Sequence, residues 1–342
     1  MARKVGMAAL AAAAGVSVAT VDRALNGREQ VTAATRARIA EAAARIGHPA
    51  AARLSGGDSD RPRLRLGVLL HKAGQEFYQN MAREMHLAAA AATEANIDLV
   101  LEFAASQAPS EVAALLRTMG QRCDAIAATA VNHPEITGAV EELRAKGVPV
   151  YSLLSDFAQG ARAGYIGLNN LKVGRVAGWM VGLATRQAGK VAIFVGGARW
   201  HGHELREAGF RSYLREARPD LEVMEALVNL ETRQLTYEAT VNLLARQPEL
   251  RAIYVAGGGM EGAIAAVREA RKPGEVVLVV NELTTESRAA LAAGWVTLID
   301  ATPLPLLCRE VMMLLVRASL RGVGDTGAQH FLNFEMHVAE GL

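Results

Sequence analysis

The chain has 342 residues, which is enough for more than one hydrophobic core, and 51% of them are hydrophobic and 21% charged. This composition is typical of a folded globular protein and excludes an intrinsically disordered chain. No uncharged apolar run is long enough to predict a membrane span. The two cysteines, Cys123 and Cys308, are far apart, which excludes a disulfide framework and a cysteine metal motif. We interpret both as buried apolar side chains in a protein of the reducing cytoplasm.

The net charge of +2 conceals an uneven distribution along the chain. Residues 1–65 contain 11 Lys and Arg against five Asp and Glu, whereas the remainder contains 26 against 30. A basic first segment joined to a mildly acidic remainder is typical of a phosphate-binding module attached to an unrelated domain.

The first segment contains the signals of three short helices. Gly15 favours the left-handed conformation that ends a helix, and Ser17 and Thr32 are good N-caps. Asn26 and Gly27 break the chain between the second and third helix. Apolar residues recur at helical spacing, which predicts helices at residues 7–14, 18–25 and 33–46. Two helices joined by a short turn containing glycine are typical of a helix-turn-helix unit.

The run AALAAAAGVSVATVDRALNG, followed by VTAATRARI, resembles the DNA-binding head of the LacI repressor family nearly residue for residue. The resemblance implies a non-enzymatic transcriptional repressor whose second helix enters the major groove of operator DNA. Val18 and Ala19 match the two positions that usually face base edges, which suits thymine methyl groups. The remaining matched positions contact phosphates, adjacent bases or the DNA backbone in the family, and they are Ser17, Thr20, Arg23, Asn26, Thr35 and Arg36.

Two features depart from the family pattern. Asp22 stands where serine is usual, and a carboxylate there is repulsive to DNA unless it accepts from a cytosine amino group or pairs with an arginine. The usual Tyr-Pro-Asn start of the hinge is replaced by His48-Pro49-Ala50, and Leu54 comes two residues too early. A shortened hinge with Leu54 as the minor-groove wedge stays open as an alternative. We therefore predict a head at residues 1–54 and a linker at 55–65, which reads SGGDSDRPRLR.

The remainder of the chain alternates short apolar strands with amphipathic helices. This rhythm predicts α/β architecture, with parallel sheets covered by helices on both faces. We expect two lobes, at about residues 66–160 and 161–295, and a C-terminal segment to residue 342 that crosses between them. The predicted strands are 66–70, 97–103, 125–129, 148–153, 191–195, 223–228, 252–256, 276–280 and 296–299.

Several segments of this region resemble type I periplasmic sugar-binding proteins, the domain that follows the head in LacI-family repressors. They are LGVLLHKAGQEFYQNMAREM, YIGLNNLKVGRVAGWM, HGHELREAGF, AGGGMEGAIAAV and NELTTESRAAL. The resemblance implies a small effector, a sugar or sugar derivative, bound between the lobes at the carboxyl ends of the strands.

Candidate effector residues follow from that rule. Phe77 and Tyr78 are suited to stacking on a sugar, although a core position is an equal alternative. Arg206 matches the family's sugar-contacting arginine in the pattern RxxGF, with a surface salt bridge as its alternative. The other candidates, which close predicted strands, are Asp156, Asn281, Glu282 and Asp300. The family's Asn-Asp pair before the late helix is replaced by Gly257-Gly258, so we expect a ligand other than a plain monosaccharide.

Two other classes of protein compete with this interpretation. Residues 257–262, GGGMEG, fit a dinucleotide-binding loop with Glu282 20 residues beyond, which would indicate an NAD-binding enzyme. No acid–base or nucleophile constellation accompanies that loop. The apolar run after Arg3-Lys4 resembles a signal peptide, which would indicate an exported sugar-binding protein, but it is rich in alanine and weakly hydrophobic.

Two further expectations concern cofactors and partners. His201, His203 and Glu204 have no evident further ligand, so we expect no metal and no cofactor. A single head covers a half-site, which predicts a cytoplasmic homodimer that reads a pseudo-palindromic operator without contacting a membrane. The effector would change the angle between the lobes and thereby the DNA affinity.

Overall fold

The computed structural model describes residues 6–25, 31–51, 61–324 and 328–342. The chain divides into two compact units, Met1–Arg63 together with Thr93–Asn96, and Leu64–Ala92 together with Ile97–Leu342. We call the first unit the head and the second the body. The predicted DNA contacts of Asn26 and Leu54 lie outside the described residues, as does the part of the hinge from residue 52 onward.

Among the residues of the head that the structure describes, three helices surround a small apolar core. They are α1 (Met7–Ala14), α2 (Val18–Leu25) and α3 (Ala33–Arg45), which confirms the prediction to within one residue. Gly15 ends α1 in the left-handed conformation with φ 64°, as its sequence position predicts. The core is formed by Leu10, Val21 and Ile39, each with no exposed surface. Three short helices therefore share one core.

The first lobe of the body is built around a six-stranded sheet in the order β12-β5-β4-β3-β1-β2. Its β3 and β4 are wholly buried, because helices cover both faces of the sheet. The elements in chain order are β1 (Arg63–His71), α4 (Glu76–Ala90), β2 (Asn96–Ala104), α5 (Pro109–Met119), β3 (Ala125–Ala128), α6 (Pro134–Ala145), β4 (Val150–Leu153) and β5 (Gly164–Leu168).

The second lobe is built around a sheet in the order β13-β11-β10-β9-β6-β7, with β8 paired to β6. One apolar cluster lies on each face of this sheet. The elements are α7 (Asn170–Ala184), β6 (Gly189–Val195), α8 (His201–Ala217), β7 (Leu221–Val223), β8 (Leu227–Val228), α9 (Arg233–Arg246), β9 (Leu250–Val255), α10 (Met260–Ala270), β10 (Val277–Asn281), α11 (Thr285–Ala292) and β11 (Leu298–Ala301).

The C-terminal segment returns to both lobes. Helix α12 (Leu304–Arg321) packs against α4 and β3, β12 (Ala328–Leu332) pairs with β5, and β13 (Glu335–His337) pairs with β11. Strand β13 is antiparallel to β11, whereas the other described pairings are parallel. A 3₁₀ turn, Ala339–Gly341, follows β13.

Three details correct the expectations from the sequence. The division after residue 160 is too early, because β5 belongs to the first sheet and the chain crosses at α7. The predicted strand 223–228 is two short strands, β7 and β8. Strands β5, β12 and β13 were not predicted: the exposed positions in β12 and β13 do not give an apolar run.

Cys123 and Cys308 are buried and free, in agreement with their interpretation as apolar side chains. Within the described residues, no helix by itself has the length and apolar character needed to cross a bilayer, although α1 and α2, bent by 104°, pass those criteria as a pair.

Candidate functional site

Helix α2 exposes one face and buries the other. Val21 and Ala24 point into the head core, whereas Val18, Ala19 and Arg23 are exposed. Ser17 caps the helix as predicted, because its Oγ accepts from the Thr20 N–H at 3.1 Å. The two predicted base-reading side chains therefore lie on an open face, which is the arrangement a recognition helix needs.

The neighbouring predicted DNA contacts are only half-exposed. Thr20 shares a hydrogen bond with the Ser17 hydroxyl at 2.8 Å, and Thr35 shares one with Thr32 at 2.9 Å. Asp22 and Arg36 are also half-buried. Two of the predicted contacts, Thr20 and Thr35, thus have hydroxyls engaged within the head, where they also support the helix starts.

The second candidate site is a cleft at the carboxyl ends of the strands of both sheets. Its empty space, counted together with the solvent in its open mouth, is about 780 Å³. The first lobe contributes Gln75, Glu76, Phe77, Tyr78, Thr129, Leu153, Leu154 and Ser155. The second lobe contributes Asn170, Trp200, Gly202, His203, Arg206, Glu231, Gly257–Glu261, Asn281, Glu282 and Thr284.

Aromatic side chains form one wall of the cleft. The Tyr78 hydroxyl hydrogen-bonds to Nε2 of His71 at 2.7 Å, and the His71 ring lies 5.0 Å from that of Trp200. Phe77 meets Tyr78 edge to face at 5.1 Å. Burial lowers the pKa of His71 to about 4, so this imidazole is neutral at pH 7. Phe77 and Tyr78 both line the cleft, and Tyr78 is at the same time part of the core.

A buried glutamate, Glu231, connects the two lobes. Its carboxylate accepts from Lys72 Nζ and, through Oε1, from the Gly258 N–H at 3.2 Å. His203 Nδ1 accepts from the Gly196 N–H at 3.0 Å, so the proton of the neutral ring is on Nε2, 3.5 Å from Oε1 of Glu231. Burial lowers the pKa of His203 to about 4. Burial opposes ionisation of Glu231, but His203 and Lys72 hold its pKa below the usual range.

The glycines around Glu231 make room for this arrangement. A Cβ on Gly257 would lie 2.6 Å from the His203 ring, and one on Gly196 would lie 2.5 Å from Cγ of Glu231. Gly257 and Gly258 therefore admit the carboxylate of Glu231 to the N-terminal end of α10. A pyrophosphate would have to occupy this same end of the helix, so the arrangement does not fit the dinucleotide loop that GGGMEG resembles.

Arg206 is buried in the cleft and is not part of a surface salt bridge. Its Nε donates to Asn170 Oδ1 at 2.8 Å and its Nη1 to the Ala256 carbonyl at 2.8 Å. Asn170 in turn donates to the Leu154 carbonyl at 3.2 Å, which joins α7 to the end of β4. The family match at Arg206 thus corresponds to a side chain that lines the cleft.

Asn281 and Glu282 line the cleft, whereas Asp300 does not. Oδ1 of Asn281 is buried and accepts no hydrogen bond. Glu282 accepts from the Thr302 N–H at 2.9 Å and from its hydroxyl at 2.7 Å, and burial raises the Glu282 pKa. Asp300 pairs with Asn281 in the sheet, and neither of its carboxylate oxygens has a partner. Burial raises the pKa of Asp300 to about 7.

Asp156 does not reach the cleft. Both its oxygens are occupied within the first lobe, by Ser152 at 2.7 Å, by Gln159 at 2.9 Å and by a buried ion pair with Arg162. The prediction of Asp156 as an acceptor for effector hydroxyls is therefore corrected. Asp156 follows a strand, as the rule for ligand sites requires, but its carboxylate is already bound by Arg162 and is not available to an effector.

The predicted sites omitted most of the residues that join the lobes, namely His71, Lys72, Gln75, Glu76, Trp200 and Glu231. His203 was considered only as a metal ligand. Among the described residues, no group of three or more His, Cys, Asp or Glu side chains is arranged to hold a metal. The one signal in the sequence was the replacement of the family's Asn-Asp pair by Gly257-Gly258. It leaves space beside the N-terminal end of α10, which the side chain of Glu231 occupies.

Comparisons with known proteins agree with this geometry. The sequence model of the lacI family of bacterial regulatory proteins matches residues 7–49, and that of the periplasmic binding protein domain matches residues 66–321. The chain thus combines a helix-turn-helix head with a two-lobed periplasmic-binding-protein fold. The chain belongs to the family of the periplasmic binding protein domain, and with its lacI-type head it matches the architecture of LacI-family regulators.

Solved structures similar to this chain include three sugar-bound solute-binding proteins, each 18% identical. The protein from Agrobacterium vitis, bound with alpha-D-tagatopyranose, has a TM-score of 0.73 over 81% of this chain and 95% of its own. The protein from Actinobacillus succinogenes, with D-allose, has 0.74 over 82% and 99%. The protein from Burkholderia graminis, with D-arabinose, has 0.75 over 82% and 97%. A comparison with curated proteins found no match.

Proposed function

We propose that this chain is a transcriptional repressor whose affinity for operator DNA is controlled by a small sugar-like effector in the cleft. The observation that carries the proposal is the presence, in one chain, of a lacI-type head and a cleft between two periplasmic-binding-protein lobes. Such a combination gives a DNA-binding regulator that responds to a sugar. The direction of the response, the identity of the effector and the roles of individual residues belong to the proposal.

The DNA side of the proposal rests on the exposed face of α2. Val18 and Ala19 are apolar side chains exposed to water, which is unfavourable unless a partner covers them. Contact with thymine methyl groups would cover them. Arg23, on the same exposed face, is suited to a phosphate or a guanine. A homodimer would place two heads on the half-sites of a pseudo-palindrome, and such a protein acts in the cytoplasm, where the DNA is.

The effector side rests on the polar groups that converge in the cleft. Arg206, Asn281 and Glu282 offer a cation, an acceptor and a carboxylate next to the aromatic wall, the combination that sugar rings and their hydroxyls require. The similar solved structures bound with sugars support a sugar-like ligand for this chain as well.

Contacts between the lobes provide the means of control. Lys72 reaches Glu231, Gln75 donates to the Glu231 carbonyl at 2.8 Å, and Glu76 accepts from the Thr285 N–H at 3.0 Å. An effector that binds among these groups changes the free-energy balance between lobe angles, and coupling of this kind is typically worth about 1–3 kcal/mol.

The proposal is tested by selecting an operator from a random duplex library and measuring its affinity by fluorescence anisotropy. Sugars, polyols and sugar acids that raise the melting temperature of the protein are then added. We expect at least one of them to change operator affinity by about 5- to 150-fold. A DNA affinity that no stabilising ligand changes would contradict control by the effector, and a failure to select any duplex would contradict the regulator itself.

A further inference from the structure

We propose that the effector carries a positive charge, so that it is an amino sugar or an amino polyol rather than a neutral or acidic sugar. This inference rests on the proposed function, because it concerns the ligand of the same cleft. It follows from the charges that line the cleft and from the partners that each of them already has.

Four glutamates line the cleft against one arginine. Two of the four are compensated: Glu231 is paired with Lys72, and Arg206 is close enough to Glu282 to oppose the rise in its pKa. Glu76 and Glu261 then remain. The cleft therefore has a surplus of carboxylates, and the surplus is located where α4 and α10 begin.

The partners of these two glutamates do not cancel their charge. Glu76 accepts from the N–H and the hydroxyl of Thr285, at 3.0 and 2.8 Å, and both donors are neutral. Burial raises the pKa of Glu261, and Glu286 and Glu76 raise it further. Arg233, which opposes this rise, is itself held by Glu286 at 2.9 Å. A ligand ammonium next to Glu76 and Glu261 would relieve the repulsion between them.

A second observation points to a ligand that donates hydrogen bonds. Asn281 is 1% exposed and lines the cleft, yet its Oδ1 accepts no hydrogen bond from the described residues. A buried acceptor without a partner costs free energy unless a donor reaches it. A hydroxyl or ammonium group of a bound ligand would supply such a donor, and an aminated sugar carries both.

The positive end of α10, which would otherwise favour an anion, already has carboxylates next to it. Glu231 accepts from the Gly258 N–H, and Glu261 lies in the first turn of the helix. An acidic sugar would meet both of them. Phe77 and Tyr78 line the same cleft, and aromatic rings attract a cation as well as a sugar ring.

The test is a calorimetric titration of the full chain with D-glucosamine, D-galactosamine, D-mannosamine and D-glucamine, against their N-acetylated forms, the parent hexoses and D-glucuronate. We expect the tightest ligand to be aminated and to bind at least about tenfold more tightly than its N-acetylated form. A tightest ligand that is neutral or acidic, or no binding by any aminated member, would overturn the proposal.

A matched pair of variants locates the charge. Glu261→Gln keeps the shape of the side chain, and we expect it to weaken binding of the aminated ligand about tenfold or more while sparing the parent hexose. Glu269→Gln, an exposed position on the same helix, should leave both unchanged. Equal losses for both ligands in Glu261→Gln would contradict a charge-specific role.

The operator assay separates this inference from the proposed function. If a neutral sugar binds and changes operator affinity, the proposed function stands and the inference about charge is wrong. If no duplex is bound at all, the proposed function fails, and the calorimetric comparison still decides the charge of the ligand.

Discussion

The head and the cleft use polar side chains in opposite ways. In the head, Ser17, Thr20 and Arg23 lie at or near the surface, and the hydrogen bond between Ser17 and Thr20 spans three residues. At the cleft, the Lys72–Glu231 pair joins a half-buried lysine to a buried glutamate 159 positions away. Because charges near water interact weakly and buried ones strongly, substitution of the exposed Arg23 should alter DNA contact with little effect on stability, whereas substitutions in the cleft should alter the stability of the body.

The largest expected effect is the loss of Lys72. Lys72→Ala leaves the carboxylate of Glu231 buried with one charged partner fewer, and we expect the free energy of unfolding of the body to fall by roughly 3–5 kcal/mol. Urea denaturation measures it, with the exposed Lys172→Ala as control. A loss no greater than that of the control would mean that the Lys72–Glu231 pair contributes no more to stability than an exposed lysine does.

The second prediction concerns pH. The pKa values of His71 and His203 are each lowered from 6.5 to about 4 in the folded state. The unfolded chain therefore binds more protons between those values, so stability is complete above pH 6.5 and is lost as the pH falls toward 4. The loss is at most roughly 3 kcal/mol for each histidine.

Melting curves between pH 7 and 4.5 would show this loss, and His203→Gln should reduce its slope. A slope identical in the variant and the parent protein would assign the pH dependence to other groups.

Arginine substitutions compare the two regions directly. Arg23→Ala should weaken operator binding by about 1–3 kcal/mol and leave effector affinity unchanged, because the side chain is exposed on the face proposed to contact DNA. Arg206→Ala should do the reverse, since it removes a buried cation from the cleft. Anisotropy and calorimetry provide the two readings, with the exposed Arg215→Ala as control. Equal losses of both affinities in Arg23→Ala would show that the head and the cleft are not separable in this way.

The smallest effect is expected at Asp300, and it has the opposite pH dependence to that of the histidines. Its pKa is raised from 3.8 to about 7 in the folded state, so its contribution to stability declines as the pH rises through that interval. Asp300→Asn should therefore stabilise the body by about 1–2 kcal/mol at pH 8 and by less at pH 5. Melting temperatures at the two pH values decide this, and a stabilisation that is larger at pH 5 would contradict the assignment.

The same contrast explains what could be predicted from the sequence. The head helices follow from local signals, since Gly15, Ser17 and Thr32 act within a few residues of themselves. The α/β architecture of the body follows from its alternating strands and helices. The strands with exposed positions, β12 and β13, give no such pattern, because their place is determined by pairing with β5 and β11.

The cleft was only partly predictable for a related reason. Asn281, Glu282 and Arg206 follow from the rule that ligands bind at the carboxyl ends of strands, and all three line the cleft. That rule could not distinguish Asp156, whose carboxylate is taken by Arg162, from Glu231, which enters from a turn after a two-residue strand. Partner choice decides both cases: Asp156 is bound by residues within six positions of it, whereas Glu231 pairs with Lys72, 159 positions away, and a single sequence records neither choice.

The most direct test of the central claim, that α2 of this chain binds in a groove of DNA, is the affinity for a selected operator duplex across a series of salt concentrations. We expect the logarithm of the association constant to fall linearly with the logarithm of salt concentration, with a slope of roughly −0.9 for each phosphate contacted, and Arg23→Ala to weaken binding throughout the series. Binding to no duplex at any salt concentration, or an affinity that salt and Arg23→Ala both leave unchanged, would contradict it.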